Sequence, residues 1–140
     1  MICGQCDPGG KNIAISFVLE LQSNNTVRGR VFSGSASIYP VVSSGTITDT
    51  NTWHHLAFVR DGNTLRLFID GTADGTADVT DVTINDSANK LAVGRSGEYD
   101  DLYWNGWIDE FRISKGIARS TADFTPPSAQ YYYEPHALII

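Results

Sequence analysis

Three groupings of side chains in this sequence could carry chemistry. The densest is Tyr99-Asp100-Asp101-Leu102-Tyr103-Trp104-Asn105, with three aromatic and three short polar side chains in seven residues. Flat rings stack on the apolar face of a sugar, and carboxylates or amides take its hydroxyls. Tyr99, Asp100, Asp101, Tyr103, Trp104 and Asn105 therefore form the candidate ligand-binding set. The plainer alternative has Tyr103 and Trp104 capping a core while the aspartates solvate a loop. The second grouping is His54-His55. Adjacent residues of a strand face opposite sides, so this pair cannot chelate one ion together. The third is Cys3-Gly4-Gln5-Cys6, which has redox spacing but runs into Asp7-Pro8-Gly9-Gly10, turn chemistry rather than a helix start. A local disulfide or two thiols is the simpler reading. Neither Gly-x-Ser-x-Gly nor His-Glu-x-x-His occurs. Twelve aspartates against four glutamates, most of them near turns, suit Ca²⁺, although Asp favours turns for its own reasons.

The elements that must position these residues are strands. The chain has 140 residues, a length that suits one domain. Val, Ile and Thr total 33, whereas Leu, Met, Glu, Lys and Gln total 19, a balance that favours strands. A net charge of −6 with only ten basic residues argues against the broad basic face of a nucleic-acid binder. No apolar run approaches the roughly 18 residues of a membrane span, and the first residues lack the basic and apolar regions of a secretory signal. Alternation predicts strands over residues 13–21, 26–32, 52–60, 64–69, 79–84, 90–95 and 107–113, with one or two more in 38–47. Gly29 within the second of these suggests a bulge. Asp61-Gly62-Asn63 joins two apolar runs as a hairpin, and Asp70-Gly71 makes another tight turn. A Gly-Thr-Ala-Asp duplication follows in 71–78. A short helix is expected only within 115–124, ahead of Pro126-Pro127. The expected fold is an all-β antiparallel sandwich over 1–140, its tail 126–140 packed on the domain or on a partner through Tyr131-Tyr132-Tyr133 and Ala137-Leu138-Ile139-Ile140.

Three stretches carry a resemblance. They are residues 52–62 (Thr-Trp-His-His-Leu-Ala-Phe-Val-Arg-Asp-Gly) continuing into Leu65-Arg66-Leu67-Phe68-Ile69-Asp70-Gly71, then Leu91-Ala92-Val93-Gly94-Arg95, then residues 105–114 (Asn-Gly-Trp-Ile-Asp-Glu-Phe-Arg-Ile-Ser). In that order they resemble the laminin-G-like, concanavalin A-like lectin/glucanase jelly rolls. The resemblance implies a non-catalytic binding or adhesion module, with carbohydrate as ligand and an extracellular or surface setting. Alternatives are an assembly module that binds protein, and a degenerate glycosidase. The paired carboxylates of the family's glucanases, Glu-x-Asp-x-x-Glu, are approached by Glu98-Tyr99-Asp100 but end on Tyr103, so catalysis is not expected. Relatives that hold structural Ca²⁺ use the aspartate of a motif similar to Trp107-Ile108-Asp109, which makes Asp109 the metal candidate. Such domains also carry N-terminal strands that this sequence does not show, and strand sharing in a homo-oligomer, most simply a dimer, would replace them.

Overall fold

The computed structural model describes residues 1–5, 15–34, 37–96 and 103–128. Eight strands run through them: β1 (Cys3–Gln5), β2 (Phe17–Leu21), β3 (Thr26–Ser33), β4 (Ser37–Thr46), β5 (Leu56–Asp61), β6 (Thr64–Ile69), β7 (Thr72–Asp78) and β8 (Leu91–Val93). They form two antiparallel sheets, ordered β4-β3-β2-β1-β8 and β5-β6-β7, and the expected sandwich is present. The shared core is built from Leu19, Val27, Val31 and Val41 of one sheet and Leu65 and Leu67 of the other, with Val79 closing one end. Period-two alternation explains this on β3, where Val27 and Val31 point inward and Arg28 and Arg30 outward. On the outer face Glu20 receives Arg28 Nε at 2.6 Å and lies 3.1 Å from Arg30 Nε, a cross-strand cluster. Val18 and Phe32 also point outward, yet both are buried, in a second small cluster with Ile15.

Two glycines set how closely the layers approach. A Cβ on Gly29 would sit 2.5 Å from the Phe58 ring, and one on Gly75 would sit 2.8 Å from Val41 Cγ1. Gly29 is therefore a close-approach position. The register shift in β3 falls between Thr26 and Arg28. The hairpins follow their turn residues. Asp61 pairs with Thr64 around Gly62-Asn63, with Gly62 at φ 56. Ile69 pairs with Thr72 around Asp70-Gly71, both at positive φ, as a type I′ turn requires.

Several sequence expectations are corrected. Residues 71–78, assigned no strand from their duplicated sequence, hold β7, which pairs along the length of β6 with Asp74 extruded at a bulge between Leu67 and Phe68. Residues 38–47 hold one long strand. It tolerates Pro40 because β4 is an edge strand. Residues 79–84 turn instead of extending: Val82 N–H donates to Val79 O and Asp81 takes φ 58. The strand expected from residue 52 starts at Leu56. No helix occurs among the described residues, and Gly116 at φ 79 interrupts the 115–124 candidate. Residues 107–113 form no paired strand, since Glu110 at φ 49 breaks their alternation at its centre. The three-residue β1, too short to announce itself, pairs with β2 and β8.

Candidate binding site

The rim beyond β8 is anchored by backbone pairing. Arg95 and Tyr103 form an antiparallel bridge, and the Trp104 N–H donates to Gly94 O at 2.8 Å. From there Trp104 turns inward. Its indole packs against the core margin, and its Nε1 donates to the Trp107 carbonyl at 3.3 Å. A Cβ at Gly106 would lie 2.9 Å from that nitrogen, so a glycine lets the chain bend round the ring. Tyr103 is 61% exposed and Trp107 86% exposed, with Asn105 open between them in sequence. Of the six expected ligand residues, Tyr103 and Asn105 face solvent, and Trp104 serves as the post that holds them. Tyr99, Asp100 and Asp101 lie outside the described residues, as do Glu98, Cys6 and the tail from 129. Sequence reasoning assigned Trp107 to a strand face and overlooked it. The signal that could have found it was the second indole just after Gly106.

Asp109 is exposed, and its Oδ1 accepts the N–H of Glu110 at 2.8 Å. Ca²⁺ takes six to eight oxygens. No group of three His, Cys, Asp or Glu side chains comes together among the described residues. The histidines instead organise the approach to β5. Asp70 Oδ2 lies 2.8 Å from His54 Nδ1, while Asp70 Oδ1 accepts the His55 N–H at 2.8 Å. Burial opposes ionisation of Asp70, but the hydrogen bonds from His54 and His55 outweigh it and hold the carboxyl below its usual range. Burial lowers the His55 pKa; Asp70 pulls it up and Arg112 pushes it further down. The His55 ring also meets Phe124 edge-on, with centroids 5.4 Å apart. The pair is thus a structural clamp between β5 and the turn after β6.

The sandwich and its rim agree with a match to the concanavalin A-like lectin/glucanases superfamily over residues 4–123. The chain belongs to this superfamily. No curated protein and no solved structure matches it. Within the lectin/glucanase superfamily the fold carries more than one activity, so membership supports a lectin-like or binding module in general.

Proposed function

We propose that the chain is a non-catalytic carbohydrate-binding module whose ligand lies on the rim at Tyr103, Asn105 and Trp107. The observation that carries this reading is the display of two aromatic side chains, 61% and 86% exposed, on a turn braced by a third. An aromatic ring held open to water on a braced turn supplies a stacking surface at low entropic cost. Asn105 supplies an amide for hydroxyls, and Asp100 and Asp101 stand five and four residues before it in sequence. None of this routes through an ion.

Titration with soluble β-glucan oligosaccharides and a glycan array, followed by tryptophan fluorescence, tests the reading. Tyr103→Ala and Trp107→Ala should each weaken binding about five- to ten-fold, the worth of about one stacking contact. Their melting temperatures should stay close to wild type, because exposed side chains contribute little to folding. Undiminished affinity in the double variant would sink the assignment. Release of reducing sugar from β-glucan that disappears in Glu98→Gln would point to the glycosidase alternative instead.

A further inference from the structure

The pattern Asn-x-Ser/Thr, with any residue but proline in the middle, occurs twice, as Asn24-Asn25-Thr26 and Asn85-Asp86-Ser87. It is the acceptor pattern for N-linked glycosylation, and it needs a side-chain amide that an enzyme can reach. The fold presents its two copies in opposite ways.

The first copy lies on the turn between β2 and β3. The Gln22 N–H donates to Thr26 O at 2.9 Å and closes the hairpin. Ser23, Asn24 and Asn25 form the loop, and all of them are exposed. Asn25 takes φ 64, the left-handed residue that a three-residue hairpin loop calls for. The loop is held in place: the Asn25 N–H donates to Gln22 O at 2.9 Å, and Asn25 O accepts the Ile47 N–H at 2.8 Å. The Asn24 side chain turns back on the last residue of its own pattern. Its Oδ1 accepts the Thr26 hydroxyl at 2.7 Å and the Thr26 N–H at 3.2 Å. No described residue accepts from its Nδ2. Two donors on Oδ1 draw charge toward the oxygen and make an Nδ2 proton easier to lose.

The second copy is locked. Asn85 is half-buried, and its Nδ2 donates to Ile15 O at 3.0 Å and to Gly34 O at 3.1 Å. Its backbone is held on both sides, with its N–H donating to Phe32 O at 2.9 Å and its carbonyl accepting the Ser16 hydroxyl at 2.7 Å. Presenting this amide to an enzyme would break both side-chain bonds.

We propose that Asn24 is an acceptor for N-linked glycosylation and that the fold closes Asn85 to it. The donor class is a lipid diphosphate-linked oligosaccharide, used by an oligosaccharyltransferase. Asn24 Nδ2 attacks the anomeric carbon of the first sugar, and a nitrogen–carbon bond forms. The bond from that carbon to the diphosphate oxygen breaks, and the lipid diphosphate leaves with the electron pair. One Nδ2 proton passes to a base of the transferase. This sugar is one that the chain carries, so the proposal does not rest on the rim at Tyr103 and Trp107.

The test incubates the folded full chain with a single-subunit oligosaccharyltransferase and a polyprenyl diphosphate-linked oligosaccharide. Intact mass should rise from 15.3 kDa by one oligosaccharide, and peptide mapping should place it on Asn24. Asn24→Gln should abolish the rise. Thr26→Val keeps the shape of the side chain without its hydroxyl and should slow transfer at least about ten-fold, whereas Thr26→Ser should stay within about three-fold of wild type. Melting temperatures measured alongside show that the variants are folded. A wild-type chain that gains no sugar on Asn24 would overturn the proposal. So would sugar on Asn85 to the same extent as on Asn24, or transfer to Thr26→Val at the wild-type rate.

Discussion

Gly71 answers to two demands. Its φ of 80 belongs to the left-handed region, and a Cβ there would stand 1.9 Å from the carbonyl oxygen of Phe124. Gly71→Ala should therefore cost at least about 2 kcal/mol in urea denaturation, combining backbone strain with loss of the Phe124 clamp. Gly62 is the control. It has φ 56, and a methyl group there would meet nothing within 4 Å, so Gly62→Ala should show only the backbone cost of about 1 kcal/mol. A Gly71→Ala cost no larger than the Gly62→Ala cost would deny the clamp. The turn at Asp70-Gly71 was legible in the sequence because turn chemistry is local. The partner at Phe124 was not, because nothing within a hairpin states which distant segment will lie over it. The same holds for the rim: Tyr103 and Asn105 could be read from their types, whereas the inward turn of Trp104 depends on where the end of β8 lies.

At the scale of elements, the strength of a hydrophobic pattern decided what could be read. The β5–β6 hairpin has apolar runs on both sides of its turn, and the hairpin forms there, with Asp61 paired to Thr64. β7 is Thr-Ala-Asp-Gly-Thr-Ala-Asp, a poor strand by propensity, and it forms because the preceding turn delivers it to β6. Residues 107–113 fail in the opposite sense, with good alternation but positive φ at Glu110. Asp74 shows how a weak strand is retained. Its carboxylate accepts N–H groups from Ser44 and Gly45, each at 3.1 Å, and the Ser44 hydroxyl. Asp74→Ala should lower stability by about 1–2 kcal/mol, reduced from the value for buried bonds by exposure. Ser44→Ala, which keeps both backbone donors, should lose less. Equal losses in the two variants would mean that the hydroxyl bond carries the junction.

For the molecule as a whole, the clamp at the start of β5 sets the response to acid. The folded chain resists protonating His55, whereas the unfolded chain takes up a proton near the ordinary 6.5. The contribution of His55 is therefore complete above about pH 6.5 and is lost as pH falls through its lowered folded value. Asp70, also lowered, contributes fully above its ordinary 3.8 and loses that contribution at still lower pH. Melting temperature should accordingly decline in two acid stages. His55→Phe should abolish the first stage and keep the ring contact with Phe124; a first stage that survives in this variant would remove His55 as its source. The contrast between the two long sides of the sandwich has a consequence in time. With β4 and β7 fastened through Asp74 and no described strand on the outer edge of β5, the molecule resembles a book, bound along a spine and loose at the fore-edge. Amide protons of residues 105–123 should exchange first, in openings that leave the spine shut, while those of β3, β4 and β6 should wait for global unfolding.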